Sequence, residues 1–575
     1  MANSENRTGF HHWAHRVTII SLMVVHTGLV AWASWRYSPT QDEIGHLAAG
    51  LGVWKFQDFS LYRVNPPLVR TIAAAPLLFV DHEEDWSEYH PGATIRQEFD
   101  LGQRLFVANG TNSLWMLSLA RWSCLPLTLI GLLICWQWGR EIAGEPAGLV
   151  AASFWCFSPN IIGHGALITS DIAGASCGLL AAWQFSRWLE RPSWRHAFLA
   201  GLSLGLALLS KLSWVVFFPI WPMLWVSSRV LTQSPRDLKK EVLQFILIMG
   251  TGINLLNLGY LFDGTGTPIG ELGFYSTPLV GQKLLPGENL PQNRFRATIF
   301  ENIPSPFPRE FLLGLDAQKS DFEWGATNYF LGETKVADGW LLYYVTGLFL
   351  KVPLVLWVLF AWNLRSGLND SALRKKQARL LPLIVPAVAI LTLASLQPNL
   401  NSHIRYVYPV LPCLFLVAAL GTAKWFRFTL FCLALFSISS LSVYPYSLSY
   451  FNYSIGGPSH GHKYLIDSNL DWGQDMIAVR EWIAENPDSQ PVRIKWRGFL
   501  PLEVLGIDAE LAKTGEDRSG TLILSLHELQ RLDSGFQKFQ RERPIGRVGY
   551  SFNIYHVNSN NRSRNSTAES KINEN

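Results

Sequence analysis

Apolar residues along the chain come in long runs separated by charged or Pro/Gly-rich breaks. Most runs are roughly 17–25 residues long, the length a helix needs to cross a hydrocarbon core of about 30 Å. The breaks delimit about eleven predicted spans: 17–35, 118–138, 147–164, 170–188, 197–211, 213–228, 242–262, 340–364, 380–397, 405–422 and 427–446. The fifth is short and its join to the sixth, at Lys211, is tight. After 446 the pattern changes. Short alternating stretches at 492–496, 521–526 and 547–557 read as strands and 475–484 reads as a helix, so 447–557 is expected to form a small α/β domain. The polar remainder, 558–575, has no aromatic residue and is expected to be a disordered tail. The expected fold is therefore mainly α, a polytopic membrane region over 1–446 followed by that domain.

Charge sets the sidedness. With the N-terminus inside, the inner loops hold Arg187, Arg191 and Arg195; Arg229, Arg236, Lys239 and Lys240; Arg365, Arg374, Lys375, Lys376 and Arg379; and Lys424 with Arg427. The two long loops this leaves outside, 36–117 and 263–339, each carry ten acids against six Lys and Arg. Four inner loops obey the positive-inside rule together, which places the C-terminal domain outside the plasma membrane. The first apolar run is too long for a signal peptide and lacks a small-residue cleavage site, so it is read as an uncleaved span.

Composition agrees: 49% of residues are apolar and 16% charged, too few charges to cover a soluble protein of 575 residues. Many of the 24 Trp stand near the ends of runs, as an interfacial belt would place them. A net charge of +4, scattered over loops, gives no nucleic-acid patch. All six Cys lie within apolar runs without metal-ligand spacing and are read as packing residues. No internal repeat of the kind that builds transporters is visible, and the charged residues gather at one face rather than at the midplane.

The candidate chemistry falls on the outer side. Asp42 and Glu43 follow the first span at the membrane–water boundary. A carboxylate held there can act as a general base, or the pair can simply open a helix capped by Thr40. His46 lies one helical turn further on. In Asn65-Pro66-Pro67-Leu68 the prolines fix an extended entry into an amphipathic, interfacial segment over 68–80. Asp171 opens the fourth span, where it can join Asp42 in binding an acceptor group or a cation, or cap the helix. Lys211 between two spans suits either snorkelling or a carrier phosphate. His403, Arg405 and Tyr406 cluster before a span; the planar fork of Arg405 suits a phosphate, and a structural ion pair is the other reading. Glu333 ends the long loop, Lys351 in an apolar run needs a partner or a wet cavity, and Asp467 and Asp471 stand in a polar block before the C-terminal helix. These two are expected to be exposed, as acceptor-binding or turn-forming residues.

Taken together, Asp42, Glu43 and His46, Asn65-Pro66-Pro67-Leu68, Ser170 and Asp171, Lys211, Leu331-Gly332-Glu333, and His403 to Tyr406 with Pro409 and Pro412 resemble bacterial members of glycosyltransferase family 39. This is the protein O-mannosyltransferase-like group with the GT-C membrane fold. The stretch from Tyr450 to Asp475 resembles a block of a bacterial subgroup. The resemblance implies an inverting transfer of a sugar from a polyprenyl- or dolichyl-phosphate carrier to a protein, lipid or glycan. It implies Asp42 as base with Glu43 in support, Asp171 as second acid, and Lys211 and Arg405, with His403 and Tyr406, on the donor phosphate. A divalent cation, held if at all by Asp42 and Asp171, stays open, as do the sugar and the acceptor. An oligosaccharide ligase or polymerase, and more remotely a flippase, are the competing classes.

Overall fold

The structure is a computed structural model that describes residues 2–92, 96–232, 237–282, 292–515, 518–531 and 533–557. The expected tail, 558–575, lies outside the described residues. Among the described residues, four helices are long and apolar enough to cross a membrane: Trp13–Arg36, Asn112–Ala143, Leu212–Leu231 and Leu238–Gly259. Three more spans arise if each bent helix pair counts once, and Leu68–Phe79, Ile404–Ala419 and Phe426–Leu441 are shorter apolar helices. The chain is an integral, multi-pass membrane protein. On the first helix Ile20, Val24 and Trp32 are more than half exposed, as side chains facing lipid would be.

Several of the expected apolar runs do not form single straight helices. The run 340–364 is broken: Tyr343–Lys351 and Leu354–Asn369 meet at 111°. The cause is Pro353, which has no N–H to continue the helix and pushes Val352 into an extended conformation, φ −112° and ψ 136°. Lys351, at the corner, donates from Nζ to the carbonyls of Leu448 (2.7 Å) and Asn469 and lies 4.6 Å from the Phe451 ring centre. Its partners are thus backbone oxygens freed by non-helical chain. A second corner, of 118°, separates Pro159–Gly165 from Ser170–Glu190. There the helix that follows presents small residues to its neighbour. A Cβ on Gly178 would stand 1.7 Å from the Trp214 ring, and one on Gly174 would stand 2.9 Å from Cδ of Lys211. Only glycine lets these two side chains lie against the helix, and Lys211 thereby reaches its N-terminal turn.

The loop 36–117 folds back over the spans. Gln41–Phe56 is a helix opened by a capping box: the N–H and hydroxyl of Thr40 donate to Oε2 of Glu43 at 3.0 and 2.9 Å. Glu43 is fully buried and receives Nε and Nη2 of Arg121 at 2.8 and 2.6 Å. The same guanidinium donates to the carbonyls of Ser34, Tyr37 and Ser38, and Glu43 also accepts the N–H of Ile168 at 3.2 Å. One carboxylate therefore ties the end of the first span, the helix carrying Asp42 and the corner before Asp171. Arg70, equally buried, donates to the carbonyls of Phe59, Leu61 and Tyr62, holding Tyr62 at φ 54°.

Two small sheets sit at one end of the helices. A hairpin pairs β1 (Thr327–Phe330) with β2 (Glu333–Val336). The C-terminal sheet contains β3 (Val492–Lys495), β4 (Glu510–Leu511), β5 (Gly520–Ser525), β6 (Gly546–Val548) and β7 (Phe552–Val557), in the order β4-β3-β5-β7-β6. β3 runs parallel to β4 and β5, and β7 antiparallel to β5 and β6. The stretch 547–557, expected as one strand, is two: Gly549 at φ 55° turns the chain between them. The helix Met476–Glu485 covers the sheet. This unit is stitched to the first span. Ser38 donates from N–H to Gln474 O (2.9 Å) and from Oγ to Gly473 O (2.6 Å), and Arg36 pairs with both carboxylate oxygens of Glu481.

At that seam Asp475 is buried, with Ser551 Oγ donating to it at 2.6 Å. Burial, reinforced by the nearby Asp471, raises its carboxyl from the ordinary 3.8 to about 7. In that window the folded state keeps a proton the unfolded chain has released. Stability should therefore fall as pH rises from about 4 to about 7 and level off above. Melting of the purified protein in detergent across this range checks it: Asp475→Asn should flatten the dependence, and an unchanged slope would show that another group sets it.

Candidate functional site

Four charged side chains meet at the sheet-bearing end of the spans. Arg405 donates from Nη2 to Oδ2 of Asp42 (2.6 Å) and from Nη1 to Oδ2 of Asp171 (3.3 Å). Lys211 Nζ donates to the other oxygen of Asp171 at 2.5 Å. The local chain explains each placement. Asp42 and Asp171 occupy first turns, where a carboxylate suits the free N–H groups and the helix dipole. Lys211 is the extended residue that ends Trp194–Ser210, φ −157° and ψ 131°, at the tight joint expected from the sequence. Arg405 sits in the 3-10 turn Ile404–Val410, its guanidinium 4.4 Å from the Trp472 ring centre. Asp171 is 1% exposed, whereas the Asp42 side chain keeps 17%, so Asp42 is the acid that opens onto solvent-sized space. Burial opposes its ionisation, yet the adjacent Arg405 charge holds its carboxyl below the usual range.

Three cavities meet around this cluster. The central one, about 240 Å³, is lined by the four charged residues with Tyr62, Asn65, Tyr406 and Trp472 among others. An apolar groove of about 280 Å³ leads from it between spans, past Val215, Val216, Ile390, Leu393 and Ala394; both cavities share Lys211, Phe322 and Tyr406. The third, about 490 Å³, lies toward the sheets and shares Leu400, His403 and Arg497 with the centre. His403 thus stands at a junction; its Nδ1 lies 2.7 Å from Ser468 Oγ, and burial lowers its pKa to about 4, leaving it neutral at pH 7.

The remaining sequence candidates divide. Asn65 lines the central cavity and accepts from Ser170 Oγ at 2.9 Å. Glu43 points the other way, into its pair with Arg121. His46 is buried behind the cavity with its ring 4.6 Å from that of Tyr62. Glu333 is exposed on the hairpin and lines none of the three cavities. Asp467 lines the outer cavity, paired with Arg497 Nη1 at 2.5 Å. Asp471, expected to be exposed, is fully buried: it accepts the N–H of His527 (2.9 Å) and of Gly473 (3.3 Å), fixing a turn beneath the sheet. Arg497, Trp472 and Tyr62 join the site without having been singled out. Trp472 lay within the block that resembles a bacterial subgroup, but Arg497 follows a strand 92 positions from Arg405, with which it shares the central cavity, and has no local signal.

For a divalent cation the donor set is a poor fit. Asp42 and Asp171 converge on the Arg405 fork rather than on a common point, and among the described residues no three His, Cys, Asp or Glu side chains gather to hold a metal.

Fold and site define a multi-pass membrane protein with an ionic centre where an apolar groove meets a polar cavity. By sequence, residues 105–250 match the profile of the family described as dolichyl-phosphate-mannose-protein mannosyltransferase, roughly a quarter of the chain. No curated protein matches the chain. Among solved structures, the chain is similar to ArnT from Cupriavidus metallidurans bound to undecaprenyl phosphate, with 10% identity and a TM-score of 0.44 over 94% of this chain and 97% of that one. It is also similar to the Archaeoglobus fulgidus oligosaccharyltransferase in the apo form, with 13% identity and a TM-score of 0.42 over 73% of this chain and 51% of that one.

Proposed function

We propose that the chain is a GT-C-type membrane glycosyltransferase that moves a sugar from a polyprenyl- or dolichyl-phosphate carrier to an acceptor, with inversion. The observation that carries this reading is the junction itself. Two carboxylates, Asp42 the more exposed of them, face two cations in one cavity, and an apolar groove ends at one of these cations. The groove suits the carrier's tail, and Lys211 and Arg405 suit its phosphate. Asp42 takes the proton of an acceptor hydroxyl as that oxygen attacks the anomeric carbon. The bond from this carbon to the phosphate oxygen breaks, and the bonding pair leaves with the carrier phosphate, whose charge the two cations offset. Arg405 is already engaged by Asp42, so the arriving phosphate competes for it, and a carboxylate released from that pair is the stronger base. The family matched by residues 105–250 is described by a dolichyl-phosphate-mannose donor, in line with this assignment.

Charge bias in the loops supports a cytoplasmic N-terminus and a reaction on the outer face, as in a bacterial plasma membrane. The test is to supply purified protein with a polyprenyl-phosphate sugar and candidate acceptors and to follow release of the sugar from the carrier. No release with any acceptor, together with ion-coupled uptake of a solute in vesicles, would replace this reading by a transporter. The groove makes its own prediction. Leu393 is half exposed and lines it, so Leu393→Trp should raise KM several-fold for a long-chain carrier and leave KM for a short-chain analogue unchanged. Equal effects on both would remove the groove from donor binding.

A further inference from the structure

The largest of the three cavities is not explained by donor binding. It lies on the far side of His403 from the groove, between the β1-β2 hairpin, the loop at 400–403 and the segments that follow β3 and β5 of the C-terminal sheet. Its volume, about 490 Å³, falls in the range of small-ligand sites, about 300–1,000 Å³. Its charges cancel locally. Arg497 is held by Asp467 at 2.5 Å, and Arg531 makes a two-pronged pair with Asp533 at 2.9 and 2.5 Å. What the wall offers a ligand is therefore hydroxyl, amide and ring: Thr327, Thr334, Tyr329 and Gln530. Asn401 is fully buried and belongs to the frame of the wall: its Oδ1 accepts the N–H of Trp340 at 2.6 Å.

We propose that this cavity is the acceptor subsite and that it takes the end of a neutral, hydroxyl-rich glycan. The inference rests on the transferase reading above and extends it to the acceptor. A polyanionic acceptor would have to displace Asp467 and Asp533 from their arginines, whereas a sugar uses such paired charges as they stand, its hydroxyls donating to carboxylates and accepting from guanidinium and amide N–H. The glycan's terminal hydroxyl reaches the central cavity past His403, which lines both cavities on the way to Asp42.

The experiment measures equilibrium binding of three neutral probes, mannotriose, cellotriose and triacetylchitotriose, to the full-length protein in detergent. Polyprenyl phosphate binding is measured on the same samples. At least one trisaccharide should bind saturably, and Thr334→Ala and Gln530→Ala should each weaken it about tenfold with carrier binding retained as the control for folding. Carrier binding without saturable binding of any trisaccharide overturns the acceptor assignment alone. So does binding that both substitutions leave untouched, or tight binding of a sulfated disaccharide or a Ser/Thr peptide in place of the neutral probes. Trisaccharide binding without carrier binding instead removes the donor reading.

Discussion

Asp42→Asn should lower the rate of sugar transfer by about 10²–10⁴, the contribution of a positioned general base, while the carrier still binds. The amide keeps the size of the carboxylate and can still accept from Arg405 across the 2.6 Å contact, so the loss is confined to the proton. Initial rates with a polyprenyl-phosphate sugar measure it, and carrier binding on the same sample separates chemistry from folding. Because the carboxyl of the free protein is held below the ordinary range, kcat/KM should stay flat across neutral pH and decline only in acid. A variant that transfers at full rate would remove Asp42 from the chemistry.

The largest structural effect is expected one residue away. Arg121→Met leaves Glu43 buried, with side-chain exposures of 1% and 0% in the native pair. Breaking such a pair costs about 3–5 kcal/mol. Folded yield and melting temperature in detergent should both fall steeply. Removing both charges, Arg121→Met with Glu43→Leu, should recover a good part of that loss, because no uncompensated carboxylate remains. If the double variant is no better than the single one, the backbone carbonyls of Ser34, Tyr37 and Ser38 that Arg121 also serves matter more than the pair.

These two predictions mark where sequence reasoning reached and where it stopped. Asp42 and Glu43 were legible as a pair of carboxylates at a membrane boundary, but not as two different residues. Successive positions on a helix point about 100° apart, so one acid faces the cavity and its neighbour faces the core. Only the position of Arg121, 78 residues on, decides which is which. Asp171, Lys211 and Arg405 were legible as charges at the edges of spans, each with a bland alternative. The structure gathers them with Asp42, through contacts between residues 40, 234 and 363 positions apart, a distance over which periodicity carries no information. The bend at Val352 was within reach, since a residue before proline avoids helical geometry; the apolarity of the surrounding run concealed it. The C-terminal strands were visible from their alternation. The burial of Asp471 was not, because the backbone N–H that it accepts belongs to His527, 56 positions later.

The seam between Ser38 and the stretch from Gly473 to Met476 has a consequence for synthesis. The chain emerges from its N-terminus, so Asp42 is in place when Arg405 and the roof formed by Trp472 do not yet exist. Until the last apolar helix has entered the membrane and Gln474 has reached Ser38, the acid has neither its cationic neighbour nor its cover. A nascent or truncated chain can hold every residue of the first two spans and still have no reaction centre. Under the proposed assignment of Asp42, the order of translation keeps the chemistry silent until insertion is complete.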